Sequence, residues 1–379
     1  MDDFLPEMMP LGGDWITAII AVYAANVYVA LHFVFMDIKK HRLIKVMICL
    51  LVHVGLAVPS MIYFHRFFSG YNVDGWMLPL SYFTGFYFCL FFYTGGAFFI
   101  WDLIRLALRI IRKKKYKLYS VRVTAIILAA ACILSLCAFI APTKCVTTRY
   151  SLELDKRECR VDSLKIVFVA DTHIGGSDRE KKIDEIVRMT MAEEPDMIIL
   201  GGDIFDEGSP QYLKDYTIKK FSELTAYSGV YFVMGNHDGY RGNRQEVLQD
   251  MNNAGITCLI DEVTLTGSGF YLIGRDDRLH GRVDLDRLTA MLNEDLPVIL
   301  TSHRPSGRDR SGRVQLQIAG HTHNGQIIPA NILLPWINSY GLRTRGTEKS
   351  IVSSGAGEYA LPVRLGSPSE IVAIDITFE

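Results

Sequence analysis

The first part of the chain differs from the rest in the length of its apolar runs. A helix that crosses a bilayer needs about 20 predominantly apolar residues, and four stretches before residue 142 are long enough. They are Trp15–Met36, Val46–Phe64, Trp76–Ile100 and Val123–Ala141. We therefore predict a transmembrane region over 1–142 with four spanning helices, followed by a polar linker over 143–160.

A different pattern begins at Leu164, where short apolar runs alternate with amphipathic segments. The first predicted elements are strand Lys165–Ala170, helix Asp178–Glu193, strand Met197–Leu200, helix Gln211–Ala226, strand Val230–Met234 and helix Arg241–Ala254. Strands with few helices between them follow: Val263–Thr266, Phe270–Ile273, Val298–Thr301, Val314–Ala319, Ile351–Ser353 and Ile371–Ile376. Strand–helix alternation is typical of an α/β layered core, and the later strands indicate a mixed sheet or a sandwich. We predict this α/β domain over 161–379.

Basic residues in the loops predict how the spans are oriented. The loops after the first and third spans hold four and eight Lys or Arg residues, whereas the second loop holds only Arg66. Cytoplasmic loops carry the excess of positive charge, so both basic loops are expected in the cytoplasm. The chain is then a multi-pass protein of the cell membrane whose α/β domain is extracytoplasmic.

Composition changes this picture little. The 379 residues have a formal net charge of −1, and the basic run Arg112–Lys117 is explained by topology and anionic lipid, without a nucleic-acid partner. Seven cysteines include no Cys-x-x-Cys pair, so a structural zinc site of the usual spacing is not expected. Cys145 and Cys159 lie beyond the last span, where an oxidising compartment would permit a disulfide. Their spacing leaves that pairing open.

Polar side chains follow five of the predicted strands at the point where each strand ends. The segments are Asp171-Thr172-His173, Gly201-Gly202-Asp203, Gly235-Asn236-His237-Asp238, Ser302-His303-Arg304 and Gly320-His321-Thr322-His323. Ligand sites of α/β sheets form at the carboxyl ends of strands. Each segment alone is also explained as a cap or a turn, but together they indicate a metal site.

The residue types in these segments suit two divalent cations. Carboxylate, amide and imidazole ligands are typical of Mn, Fe or Zn, and the candidate ligands are Asp171, His173, Asp203, Asn236, His303, His321 and His323. Two cations that share a carboxylate supply a hydroxide nucleophile and neutralise a phosphoryl group. His237 is then expected to act as the general acid, with Asp238 fixing its tautomer. The predicted reaction is hydrolysis of a phosphomonoester or phosphodiester.

The same motifs together resemble the five-block signature of the calcineurin-like metallophosphoesterases, from Leu164 to the C-terminus. The resemblance implies a two-sheet β-sandwich flanked by helices. It implies one ion on Asp171, His173, Asp203 and His323, and a second on Asp203, Asn236, His303 and His321, with Asp203 bridging. The strings Gly320–Gln326 and Gly274–Arg278 resemble the bacterial membrane-associated branch of that family, although Asn324 stands where that branch usually has glycine.

Two segments beside these motifs bear on the substrate. The loop between His303 and His321 contains four arginines, and we expect Arg304 and Arg308, with Asn236, to hold an anionic substrate. The alternative for that loop is a solvated surface. The apolar run Ile327–Ile337 is either a loop that covers the core or a lip that enters the outer leaflet. A lip would suit a lipid or lipid-linked phosphate.

Two further interpretations remain open at this point. The domain could be a catalytically silent membrane sensor or scaffold that binds a phosphorylated ligand, but retention of every ligand position and of His237 favours an enzyme. The spans could perform transport, but none has an acidic residue near its middle, so an ion-coupled path has little support.

Overall fold

A computed structural model describes most of the chain in two units. The described residues are 26–33, 42–112, 121–140, 144–175, 179–206, 208–239, 244–306, 312–333 and 340–379. One unit contains the described parts of 144–360 and 364–379, and the other contains the helices up to Ile140 together with Leu361–Val363.

The N-terminal unit is helical. Its elements are α1 (26–33), α2 (Arg42–Phe68), α3 (Met77–Arg112) and α4 (Val121–Ile140). Within the described residues, three segments are long and apolar enough to cross a membrane, namely Val46–Phe68, Met77–Arg112 and Val121–Ile140. Most of the first predicted span lies outside the described residues, so the count of four spans stays a prediction. The 36 residues of α3 extend about 54 Å, which exceeds the hydrocarbon thickness of about 30 Å.

The C-terminal unit contains two six-stranded sheets. The first has strands β1 (Cys145–Leu154), β2 (Ser163–Val169), β3 (Met197–Leu200), β4 (Val230–Phe232), β5 (Thr257–Cys258) and β12 (Ser369–Phe378), in the order β1-β12-β2-β3-β4-β5. The second has β6 (Glu262–Leu265), β7 (Tyr271–Gly274), β8 (Val298–Thr301), β9 (Leu316–Ala319), β10 (Gly341–Arg345) and β11 (Glu348–Val352), in the order β10-β11-β9-β8-β7-β6. Both sheets are mixed, as the later strands of the sequence indicated.

Helices complete the layers of this unit. Helices α5 (Arg179–Ala192), α6 (Gln211–Phe221) and α7 (Arg244–Asn253) connect successive parallel strands of the first sheet. Two short helices, α8 (Leu285–Thr289) and α9 (Ala330–Leu333), and two 3-10 turns, Arg278–His280 and His323–Gly325, lie in the connections of the second half.

Alternation along β2 explains how the layers pack. Ile166 and Phe168 belong to the core between the two sheets, where Ile299 of β8 and Ile318 of β9 are also fully buried. Val167 points the other way, into the core that the first sheet shares with its helices. A strand buried on both faces reads as a continuous apolar run. The predicted α/β domain with a sandwich of two sheets is confirmed.

The segment expected to be a linker contains a strand. Residues 145–154 form β1, which pairs in parallel with β12 from Cys145↔Ser369 to Leu154↔Phe378. Only Leu152 and Leu154 are buried along this strand, so its apolar alternation is weak. Its partner strand, β12, lies at the far end of the chain, so no local sequence pattern indicates that the two strands pair.

The disulfide that the sequence left open is not formed, since Cys145 and Cys159 are both free. Cys145 packs against the core beneath the helices, whereas Cys159 is buried in the core between the sheets. The ten residues of β1 begin at Cys145, and at about 3.3 Å per residue they carry the chain roughly 30 Å before the turn that contains Cys159.

Candidate metal centre

The five motifs meet because parallel strands end at one edge of each sheet. Strands β2, β3 and β4 are parallel in the first sheet, and β8 and β9 are parallel in the second. The loops that follow them contain all the candidate ligands. The site therefore lies between two sheets, and each sheet supplies part of it.

Six of the seven candidate ligands form two groups. Asp171, His173 and His323 present ligand atoms within 4.8 Å of one another, and so do Asp203, His303 and His321. All six side chains are buried or nearly so. Nε2 of His173 lies 2.9 Å from Nε2 of His323, and Nε2 of His303 lies 3.0 Å from Nδ1 of His321. The ring nitrogens of each group thus converge on one point.

Asp203 connects the two groups. Its Oδ2 lies 2.9 Å from Nε2 of His303 and 3.8 Å from Nε2 of His173. Its Oδ1 accepts a hydrogen bond of 2.8 Å from the backbone N–H of His237. One oxygen is therefore fixed by the backbone while the other faces both groups, which is the arrangement a bridging carboxylate needs.

Asn236 supplies the test of whether a cation fits here. Its Oδ1 is buried and has no hydrogen-bond partner among the described residues. A buried carbonyl oxygen left unpaired costs roughly 1–3 kcal/mol, and a cation bound to that oxygen would remove the cost. With the carboxylates and imidazoles, this amide completes a mixed oxygen and nitrogen donor set suited to Mn, Fe or Zn.

The backbone at the ligands is strained. Five of the seven candidate ligands have positive φ, namely Asp171 (53°), His173 (43°), Asp203 (52°), His321 (74°) and His323 (47°). The left-handed region costs a residue with a side chain on the order of 1–2 kcal/mol. Strain of this kind persists only where the surrounding structure imposes it and concentrates at functional sites.

Two glycines permit the close approach of these loops. A Cβ on Gly235 would lie 2.1 Å from Oδ1 of Asp203, and a Cβ on Gly320 would lie 2.2 Å from Oδ2 of Asp171. Asn324, which replaces a usual glycine, has φ 46° and ψ 38°. Asparagine is among the few residues that enter the left-handed region readily, so the turn keeps its shape.

Asp238 contacts the backbone of two ligand loops. Its carboxylate accepts hydrogen bonds from the backbone N–H groups of Asp203, Ile204, Phe205 and Gly235, at 2.7, 2.8, 3.2 and 3.0 Å. These bonds use the acceptor positions of both oxygens. The contacts of Asp238 therefore hold the Asp203 loop against the Gly235 loop, and its effect on the tautomer of His237 stays a prediction.

Three different groups orient the ligand imidazoles from behind. Nδ1 of His173 lies 2.5 Å from Oδ1 of Asp206, and Nδ1 of His303 lies 2.9 Å from the carbonyl oxygen of Gly201. Partners of this kind fix the tautomer of a metal-binding histidine. Nδ1 of His323 instead lies 3.2 Å from Nη2 of the fully buried Arg364, which can only donate.

The imidazoles are of two electrostatic kinds. Burial acts to lower the pKa of His303, but the Asp203 carboxylate outweighs burial and raises that pKa to about 9. Burial, with the imidazoles of His303 and His173 respectively, holds the pKa of His321 and of His323 well below its ordinary value. His321 and His323 are therefore neutral, whereas His303 holds a proton beside Asp203. Metal binding to such ligands displaces protons.

The predicted acid lies beside these groups, and the predicted substrate residues are described in part. Nε2 of His237 is 3.9 Å from Oδ2 of Asp203. Arg304 directs its Nε to Oδ2 of the buried Asp277 at 2.8 Å, and Arg308 lies outside the described residues. Of the apolar run after the turn, Ala330–Leu333 is a single helical turn with Ile332 exposed, and residues 334–339 are outside the described part.

Sequence reasoning missed three residues at this site. Asp206 follows Asp203 by three positions, and that spacing after a strand was its only signal. Arg364 is the one cation in the apolar stretch Ala360–Leu365, where a buried charge needs a polar partner. Tyr359 packs its ring against His173 and has no motif of its own.

Comparison with known proteins agrees with this geometry. The family model described as calcineurin-like phosphoesterase matches residues 164–325, the part of the chain that contains the ligand motifs. An uncharacterized metallophosphoesterase of Helicobacter pylori is 34% identical over 59% of this chain, which spans 61% of that relative's length. One from Campylobacter jejuni is 29% identical over 93% of this chain and 95% of the relative.

A third relative fixes the family. An uncharacterized metallophosphoesterase of Aquifex aeolicus is 32% identical over 60% of this chain, and the match covers 90% of the relative. Nearly the whole of that protein is therefore represented in this chain. The chain belongs to the calcineurin-like phosphoesterase family of metal-dependent hydrolases.

Proposed function

We propose that the chain is a membrane-anchored phosphoesterase that hydrolyses a phosphomonoester or phosphodiester at a dinuclear metal centre. The observation that carries the proposal is the position of the Asp203 Oδ2 atom, which faces both groups of histidines. Asp171, His173, Asp203 and His323 hold one ion, and Asp203, Asn236, His303 and His321 hold the other.

The metals and the protein have separate tasks in this reaction. Two bound divalent ions supply Lewis acidity for the phosphoryl group and an activated water. His237 gives its proton to the oxygen of the leaving group as the phosphorus–oxygen bond breaks. Asp238 keeps the His237 loop in register through its backbone hydrogen bonds.

We further propose how the chain is placed and what it acts on. Four spans anchor it in the cell membrane, the phosphoesterase domain lies outside the cytoplasm, and its substrate is a phosphoester with a lipid or lipid-linked phosphate as the favoured case. Three described helices long and apolar enough to span a bilayer support the anchor. The strand β1 supports starting the domain at Cys145, earlier than residue 161.

The metal assignment predicts that the full-length chain binds two divalent ions and hydrolyses bis(p-nitrophenyl) phosphate with added Mn²⁺. Asn236→Ala removes the unpaired amide oxygen, and we expect the rate to fall at least about 100-fold. Metal analysis of the same samples should show less than two ions per chain. Asn293→Ala, whose side chain only caps Asp295 N, serves as the control. Two bound ions without turnover would instead support a silent sensor or scaffold.

The substrate contact predicts an effect on KM. Arg304→Ala and Arg308→Ala each remove a guanidinium, and we expect about a tenfold rise in KM for an anionic phosphodiester with little change in kcat. Arg313→Ala is the matched control, because Arg313 lies in the same loop but pairs with Glu294 at 2.7 Å. An unchanged KM in both variants would end this assignment.

The lipid proposal predicts a preference for acyl chains. Full-length protein in detergent should hydrolyse a long-chain lipid phosphodiester with a kcat/KM at least about tenfold above that of the same headgroup without chains, since each buried CH₂ contributes about 0.8 kcal/mol. Equal values for the two substrates, with the lipid dispersed in detergent micelles, would remove lipid from the proposal.

The predicted sidedness can be read from protease access. Proteinase K added to intact cells, with the outer membrane permeabilised where there is one, should digest the domain and leave the helices. A cytoplasmic protein detected in the same samples reports lysis. Protection of the domain until the cells are lysed would reverse the orientation.

A further inference from the structure

The side chain of Gln326 forms hydrogen bonds with both the N–H and the carbonyl group of Tyr359. The Tyr359 N–H donates to Oε1 of Gln326 at 3.1 Å, and Nε2 of Gln326 donates to the Tyr359 carbonyl at 3.4 Å. Gln326 directly follows the turn that contains His323 and has φ 57°. Gln326 therefore fixes the position of Tyr359 relative to the turn that contains His323, although Tyr359 and this turn lie on separate loops.

The ring of Tyr359 lies against the predicted general acid. Its centroid is 4.6 Å from the His237 ring at an interplanar angle of 39°, and 5.1 Å from the His173 ring at 50°. The two imidazoles are themselves 5.3 Å apart at 67°. The three rings form one packed set, in which His237 is 9% exposed.

Contacts on both sides of Tyr359 fix its loop. The Gly357 N–H donates to the carbonyl of Asp171 at 2.7 Å, and Glu358 forms an ion pair with Lys182 at 2.8 Å. Buried Arg364 donates to the carbonyl of Gly357. A ring on a loop restrained in this way can restrain a neighbouring ring in turn, because packed side chains occupy defined rotamers.

We propose that Tyr359 is a positioning residue for His237, held in place by Gln326. This inference rests on the proposed function, in which the phosphorus–oxygen bond to the leaving group breaks and the leaving oxygen takes a proton from the His237 ring. The electron pair of that N–H bond stays on the imidazole. Packing of Tyr359 against one face of His237 limits rotation of the imidazole and keeps its proton directed at the leaving oxygen.

A general acid matters most when the leaving group is poor, which gives the test. Tyr359→Ala should lower kcat for an alkyl phosphodiester about tenfold, which is part of the 10²–10⁴-fold contribution of general acid catalysis, and should change kcat for bis(p-nitrophenyl) phosphate little. His237→Ala sets the largest loss expected. Tyr359→Phe keeps the ring and should match the wild type, and Gln326→Ala should show a smaller loss of the same kind.

The restraint itself can be measured without turnover. Diethylpyrocarbonate modification of His237, located by peptide mass spectrometry in the metal-loaded full-length chain, should be several-fold faster in Tyr359→Ala than in the wild type. Exposed His280 provides the internal reference rate. Tyr216→Ala, which removes a half-buried tyrosine bonded to Asp184, should change neither the rate of modification nor the ratio of the two substrates.

The outcomes separate this inference from the proposed function. Equal losses on both substrates together with lower metal content would make Tyr359 a support for the metal site and overturn the inference. Should the wild type hydrolyse neither ester, the proposed function fails, and the modification rates of His237 alone then decide whether Tyr359 restrains it. If the rate of His237 modification is unchanged in Tyr359→Ala, the inference about Tyr359 is overturned, whether or not the wild type hydrolyses either ester.

Discussion

The carboxylate of Asp203 is the group on which the rest of the site depends. It belongs to a loop of the first sheet, and its Oδ2 is 2.9 Å from His303, which belongs to a loop of the second. This contact therefore joins the two sheets at the edge where their parallel strands end. A sliding of one sheet against the other would separate the ligand groups, so the apolar core between the sheets, including Ile166 and Ile318, also holds the metal ligands in register.

Bringing these groups together opposes folding in two ways. Buried carboxylates and imidazoles lose hydration, at several kcal/mol for each ion, and ligand loops with positive φ add strain. The fold offsets part of this with hydrogen bonds to the charged groups. Asp238 accepts four backbone N–H groups, and His321 N donates to Asp171 at 2.9–3.0 Å. Bound cations would neutralise the charge that remains.

The parts of the fold predictable from sequence were those with local causes. Strands buried on both faces, such as Met197–Leu200, appear as unbroken apolar runs, and the amphipathic period of α5 marks it as a helix. The strand β1 could not be found in this way, because its partner is β12 and only two of its own residues are buried. The first third of the chain contains apolar runs of spanning length, and the first of these falls largely outside the described residues.

The candidate ligands were recognisable because metal chemistry restricts the residue type. Only a few side chains offer an oxygen or nitrogen lone pair in the right place, so Asp171 or His321 stands out at a strand end. The groups that support them are not restricted in this way. A carboxylate holds His173, a backbone carbonyl holds His303, and a guanidinium lies behind His323. These three partners differ in chemistry but each contacts Nδ1 of a candidate ligand. Residue type therefore does not identify them in the sequence, and they are recognised only from their positions in the fold.

The same distinction applies to the acid. His237 was proposed as the acid through the Asn-His-Asp motif, but adjacency in sequence does not decide which groups the carboxylate of Asp238 meets. Asp238 turns to the backbone of the Asp203 loop, and the ring beside His237 comes from Tyr359, more than a hundred residues later. The chemistry of the reaction restricts the type of a residue that touches the reacting atoms. A residue that only positions such a group, as Tyr359 positions His237, needs a suitable shape, and its place beside that group is set by the folded chain.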